Sequence, residues 1–243
     1  MIADRAFRLA ELAQVNAFFA LADLRSEVSS AVLSPPDVPS PPWRPVVELL
    51  ANEAGIDTLV DQVAVRLGTT ERWIAASIWY LGWAEHLTSV YAGSVALGGA
   101  VPDLAAINLR YRASRGRSLE LGAERLVAVD VATGWHRLVD DHLRPLGDAL
   151  RRRVRIGRRL VDGSVASALA GSLAALDRAG LGSLPALVAE PWAQPAELVS
   201  LGRWIGGGSD LRYVRMTCCG YERLPQGSRC GDCVLAFRSQ ASG

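Results

Sequence analysis

All four cysteines of the chain fall within sixteen residues near its carboxyl end: Cys218 and Cys219 adjacent, then Cys230 and Cys233. The spacing is C-C-x10-C-x2-C, and no other cysteine occurs in the 243 residues, so the thiols are expected to act as one unit. Three chemistries compete for them. Disulfides suit a chain without a visible secretion signal poorly, because a reducing compartment keeps thiols free. A bridge between the neighbours Cys218 and Cys219 would also close a strained ring. A four-thiolate zinc site is chemically reasonable, yet structural zinc ribbons usually present two C-x2-C knuckles. Only Cys230-Gly231-Asp232-Cys233 has that form. An iron–sulfur cluster spreads four thiolates over two irons and tolerates less regular spacing. The cluster is the favoured reading, with zinc the runner-up.

The remainder of the chain has enough apolar surface for a real core. Half of it is hydrophobic, 21% is charged and the mean hydropathy is +0.17. A disordered chain is poor in apolar residues and rich in net charge. The net charge here is +1, with all 26 basic residues arginine, so no overall field draws nucleic acid or an anionic membrane. Residues 1–8 carry charges where a signal peptide needs an unbroken apolar region. The longest charge-free apolar stretches, 87–102 and 163–176, fall short of the roughly 20 residues of a membrane helix. The expectation is a cytoplasmic protein with no membrane span and no nucleic-acid partner.

Apolar residues recur at helical spacing in the first 27 residues: Phe7, Leu9, Leu12, Val15, Phe18, Phe19, Leu21 and Leu24. A Pro-rich connector over 34–45 follows, whose prolines fix an extended backbone and remove amide donors. From 45 to 99 the pattern is helical again. Thr69 or Thr70 is expected to cap a helix that puts Trp73, Ile74, Ile78, Trp79, Leu81, Trp83 and Leu87 on one broad face. Alternation over 106–112 predicts a strand, with shorter ones near 119–121 and 126–129. Helices are expected over 134–155 and 156–179, then a short one over 196–205 after Pro185, Pro191 and Pro195. The expected fold is mainly α with a small β element: a helical substrate-binding domain over 1–200 and an irregular cluster-binding segment over 201–243.

Other constellations are weaker. His86, His136 and His142 have no ligand-like partner spacing, and Asp140-Asp141-His142 reads as an exposed helix turn. Arg151, Arg152, Arg153, Arg155, Arg158 and Arg159 read as a solvated helix face, or as a surface on which an acidic ferredoxin docks.

The tail resembles the carboxy-terminal segment of the FhuF-type ferric-siderophore reductases, in which a C-C-x10-C-x2-C motif holds a [2Fe-2S] cluster. The residues that carry the resemblance are Cys218, Cys219, Tyr221, Arg223, Pro225, Gly227 and Cys230-Gly231-Asp232-Cys233. Glu222 stands where a second aromatic often occurs, and Val234 where a proline follows the last cysteine. Residues 158–173 resemble the family more weakly. The resemblance implies an oxidoreductase with Cys218, Cys219, Cys230 and Cys233 as cluster ligands and no catalytic residue beyond them. It implies one-electron reduction of Fe(III) held by a siderophore of hydroxamate type, with release of Fe(II). It also implies an electron donor such as a ferredoxin or an NAD(P)H-dependent reductase.

A four-thiolate [2Fe-2S] cluster is anionic, so added positive charge eases its reduction. From Leu201 onward the chain has Arg203, Arg212, Arg215, Arg223, Arg229 and Arg238 against Asp210, Glu222 and Asp232. Arg215 and Arg223, nearest the Cys pair, are the candidates to act on the cluster. Trp204 and Tyr221 are the candidates to touch a bulky chelate. Two other classes of function stay open: an electron carrier or redox sensor without siderophore turnover, and a zinc-stabilised binding module.

Overall fold

The aromatic-rich run beginning at Trp73 forms one long helix, α4 (Arg72–Ala96), in a computed structural model that describes residues 7–25, 41–114 and 117–235. Ile74, Trp79, Tyr80, Trp83, Leu87, Val90 and Tyr91 are buried almost completely. A helix apolar on nearly every side belongs at the centre of a domain, and α4 sits there. Along it lies α7 (Arg158–Arg178), whose small residues allow close approach. Thr88 and Ser89 of α4 meet Ser172 of α7, oxygen to oxygen, at 3.1 and 3.0 Å. Thr88 and Ser172 also donate to the Ala84 and Ala168 carbonyls of their own helices. These buried hydroxyls are therefore satisfied, which removes most of the cost of burying them.

Shorter elements enclose this pair. On the amino side are α1 (Leu9–Val15), α2 (Val46–Ala51) and α3 (Glu53–Leu67). The Asn52 side chain caps α3 by accepting from the Ala54 and Gly55 amides at 3.1 and 3.3 Å. On the carboxyl side, α5 (Val131–Leu138) runs through a π turn (Val139–Leu143) into α6 (Arg144–Val154), and α8 (Leu184–Ala189) follows α7. The β element is small, as expected. A four-stranded sheet has the order β1 (Leu21–Asp23), β5 (Arg117–Ala123), β4 (Leu109–Ser114), β2 (Arg44–Pro45), with β1 parallel to β5. Two-stranded ribbons join β3 (Val101–Pro102) to β6 (Ala128–Val129) and β7 (Gly202–Ile205) to β8 (Arg212–Arg215).

Three local expectations are corrected. The first helix stops at Val15, because Asn16 is extended and its side chain accepts from the Phe18 amide at 2.8 Å. The chain then enters β1, a pairing with β5 that no local pattern reveals. Residues 196–205 are not a helix: a 3-10 turn at Val199–Leu201 leads into β7, held by β8. His142 lies in the π turn fully buried, with Nε2 against the Leu104 carbonyl, rather than on an exposed turn. Residues 34–40 of the Pro-rich connector lie outside the described residues, as does Arg238.

Among the described residues one helix, α7, has the length and composition to cross a membrane, but 67% of its most apolar stretch is buried against the rest of the protein. It is packed as a core helix.

Across β4 and β5, Arg112 Nε donates to Glu120 Oε2 at 2.6 Å, with both side chains only 7% exposed. Breaking a buried ion pair by removing one partner is strongly destabilising, so Glu120→Ala should lower unfolding stability in urea by about 3–5 kcal/mol. Glu11→Ala, which breaks the exposed pair with Arg8, should leave the urea midpoint nearly unchanged.

Candidate metal centre and adjoining cleft

The parts of the tail are tied to one another by backbone before any cysteine side chain is considered. The Arg215 amide, at the end of β8, donates to the Asp232 carbonyl at 3.1 Å, and the Cys233 amide to the Cys230 carbonyl at 3.1 Å. Strand β8 is thereby joined to the Cys230–Cys233 turn. Thr217 then packs on α7 at Gly163, where a Cβ would stand 2.5 Å from the threonine hydroxyl. Gly220 has φ +83 and lies against Trp73 and Ile74 of α4, closer than any side chain permits. Two glycines thus seat the cysteine loop on the early turns of both central helices.

The four cysteines are free thiols, with Cys219 and Cys233 buried and Cys218 and Cys230 partly exposed. Cys219 and Cys230 come together, sulfur to sulfur, at 4.0 Å. Arg215, only 1% exposed, donates from Nη2 to Cys219 at 3.2 Å and to Cys230 at 2.8 Å. Its Nε lies 3.3 Å from Asp232 Oδ2, which in turn accepts from the Ser167 hydroxyl of α7. The Gly220 amide donates to Cys218 Sγ at 3.3 Å.

These contacts set the charge states. The hydrogen bond from Cys230, helped by the Arg215 cation, lowers Cys219 against the opposing effect of burial. Cys230 is raised by the proton it shares with Cys219 and by burial. Burial also raises Cys218. Burial works against the Arg215 charge, but Asp232 and the two cysteines more than offset it and hold the guanidinium above the ordinary arginine range.

Does this set of donors suit a metal? Tetrahedral thiolates at metal–sulfur bonds of about 2.3 Å stand roughly 3.8 Å apart, close to the Cys219–Cys230 separation. Arg215 Nη1, on the guanidinium that donates to Cys219 and Cys230, is buried with no hydrogen-bond partner, and an anionic group with acceptor capacity would satisfy it. A thiolate-held iron–sulfur cluster has that character. Among the described residues, no group of three or more His, Cys, Asp or Glu is gathered closely enough to hold an ion. The donor types and the buried guanidinium suit such a group, although the four thiols are not gathered around one point. The geometry joins one pair of thiols, while Cys218 and Cys233 remain elsewhere in the same loop.

Beside the pair opens a cleft of about 870 Å³, within the usual size of small-molecule sites. Cys230, Asp232 and Arg215 form its inner wall, and Trp204 and Tyr213 of the β7–β8 ribbon form a second. These two rings pack edge to face with centroids 5.3 Å apart. Leu81 and Glu85 of α4 and Ala170, Gly171 and Ala174 of α7 complete it. Burial, then the nearby Asp232 charge, raises the Glu85 carboxyl to about 7, with Arg215 opposing.

Of the residues singled out from sequence, Arg215 touches the thiols and Trp204 lines the cleft. Arg223 does not reach the thiols; it lies over the Trp73 ring at 5.4 Å. Tyr221 begins a 3-10 turn (Tyr221–Arg223) and, like Arg223, is absent from the cleft wall. Ser167 and Glu85 went unnoticed. Glu85 carried a signal, being the one acid inside the apolar run of α4. The arginine run before α7 is largely ion-paired: Arg151 with Asp148, Arg152 with Glu53, Arg153 with Asp57 and Arg158 with Asp162. His86 and His142 are core residues, whereas His136 is exposed.

Neither the models of known protein families nor the curated proteins searched match this sequence.

In the metal-free, reduced protein, Cys233, only 1% exposed, should react with iodoacetamide on the order of tenfold more slowly than the partly exposed Cys218. Gly220→Val, strained in backbone and obstructed by Trp73, should bring these two rates together, as read by peptide mass spectrometry.

Proposed function

We propose that the protein is a ferric-siderophore reductase, passing one electron from a [2Fe-2S] cluster on Cys218, Cys219, Cys230 and Cys233 to Fe(III) in an oxygen-donor chelate. One observation carries the reading. Cys230 belongs both to the thiol pair held by Arg215 and to the wall of the 870 Å³ cleft. A redox group on that sulfur and a chelate in that cleft would be neighbours.

When bound, the cluster supplies a reversible one-electron store. The chain's own residues do the rest. Arg215 places positive charge against two of the thiolates, which favours the reduced, more negative state. Asp232 holds the guanidinium, and Ser167 holds Asp232. The Trp204 and Tyr213 rings offer an apolar wall to the hydrocarbon arms of a hydroxamate chelate. Hard anionic oxygens prefer Fe(III), and the lower charge of Fe(II) weakens their hold, so reduction releases the metal. The electron comes from an external donor such as a ferredoxin or an NAD(P)H-dependent reductase. The cytoplasm, reducing and a consumer of Fe(II), is the proposed place of action.

The test is anaerobic isolation, a visible spectrum, dithionite reduction and addition of iron(III) tris(acetohydroxamate). A red-brown protein that bleaches, is reoxidised by the chelate and yields Fe(II) is expected. A coloured protein indifferent to ferric chelates would indicate a carrier or sensor, and a colourless one with zinc would overturn the reading. Cys230→Ser should abolish both colour and turnover. Gly171 offers a separate control, because it lies exposed in the cleft with open space where a side chain would project. Gly171→Phe should keep the colour and weaken chelate binding on the order of tenfold or more.

A further inference from the structure

Glu85 is the one carboxyl in the cleft to which no ion pair, thiol contact or structural hydrogen bond gives a role. It sits on α4 one turn beyond Leu81, with both residues in the wall. Among the described residues its carboxylate has no ion-pair or hydrogen-bond partner. The charged groups facing the same space are Asp177 and Arg178 of α7, Arg212 and Arg215 of β8, and Asp232 of the cysteine turn. Arg215, the cation that acts on Glu85, is already engaged by Asp232 and two cysteines. A carboxyl in that position gains nothing for the fold by being charged.

We infer that Glu85 is a catalytic residue: a general acid that protonates an iron-binding oxygen of the chelate as the metal is reduced. The inference rests on the proposal that the cleft receives a ferric chelate. An electron from a one-electron donor, dithionite in the test below, converts Fe(III) to Fe(II). One Fe–O bond breaks, the Glu85 O–H bond breaks, and a new O–H bond forms on the released hydroxamate oxygen. Glu85 is left as a carboxylate and recovers its proton from water. Protonation matters because an unprotonated hydroxamate oxygen can rebind the metal, whereas the protonated one is a poor ligand.

The direction of the pH dependence follows. Burial and the Asp232 charge raise Glu85 to about 7, so the acid form is present below that value and is lost as pH rises through it. Effective proton donors have values near the working pH, which an exposed glutamate does not.

The experiment compares wild type with Glu85→Gln, which keeps size and polarity but has no acidic proton. Three readouts are used. Binding of redox-inert gallium(III) tris(acetohydroxamate), followed by tryptophan fluorescence, reports the cleft alone; it should be retained in both proteins. Infrared titration of the protein as isolated should show a protonated carboxyl that ionises near pH 7 and is missing from Glu85→Gln. Single-turnover Fe(II) release from the iron chelate, after dithionite reduction, should fall in wild type as pH rises through about 7. In Glu85→Gln it should be on the order of a hundredfold slower at pH 6, independent of pH, and partly restored by added imidazolium. A variant that binds gallium chelate and keeps the wild-type rate and pH profile overturns the role of Glu85 while leaving the cleft assignment intact. Failure of wild type itself to bind the gallium chelate overturns both.

Discussion

A guanidinium buried to 1% exposure is the constraint around which the carboxyl third of this protein is arranged. Taking such a cation out of water costs several kcal/mol unless anions surround it, and Arg215 finds them in Asp232 and Cys219, with the Cys230 sulfur as a further acceptor. Each of those partners is then fixed in turn. Asp232 is held by Ser167 of α7 and by the backbone bond between its carbonyl and the Arg215 amide. Cys219 is favoured as a thiolate, and Cys230 is drawn to within 4.0 Å of it. Arg215 Nε and Nη1 and Thr217 Oγ1 have no hydrogen-bond partner. More negative charge and more acceptors would stabilise the loop than the protein alone supplies, which is the physical case for a thiolate-bound anionic group.

The helical part answers a different requirement, a rigid platform with one open side. Helices α4 and α7 pack closely through small residues and satisfied hydroxyls over much of their length. Gly163 and the Trp73 region receive the cysteine loop. Toward the other end of α7, Ala170, Gly171 and Ala174 present little side chain to the space under the β7–β8 ribbon, and the cleft is what remains. Small residues therefore serve two purposes along one helix, close packing on one face and an open volume on another.

This division explains what the sequence disclosed. The cysteine constellation was legible because its members are near in sequence and chemically distinctive. Arg215 was legible for the same reason, three residues before Cys218. Arg223 stands four residues beyond Cys219 and looked equivalent on the page. The αL conformation of Gly220 and the 3-10 turn after it carry Arg223 away to Trp73. Turn geometry, not distance along the chain, decided between two similar arginines. The helices were legible wherever apolar period and length agreed, as in α4 and α7. The β1–β5 pairing and the β7–β8 ribbon depend on partners about a hundred or ten residues away, and local pattern contains neither. Glu85 depends on both limitations: an acid in an apolar run is visible in sequence, but its partners in the cleft come from two other elements.

Asp232 joins the two halves of the proposed chemistry. On one side it steadies the cation that faces the thiols, and on the other its negative charge contributes to keeping Glu85 protonated. The two effects require no motion of the backbone and no further residue. Reduction of a chelated Fe(III) weakens the complex but leaves its oxygen ligands anionic, so after electron delivery alone they are still able to rebind the metal. A site that pairs an electron-favouring cation with a protonated carboxyl across a single shared carboxylate would, in the proposed reaction, weaken that complex from both ends. Within a partly buried cleft, where charges are less screened than in water, such an arrangement would act on a bound chelate more strongly than the same groups on a free surface.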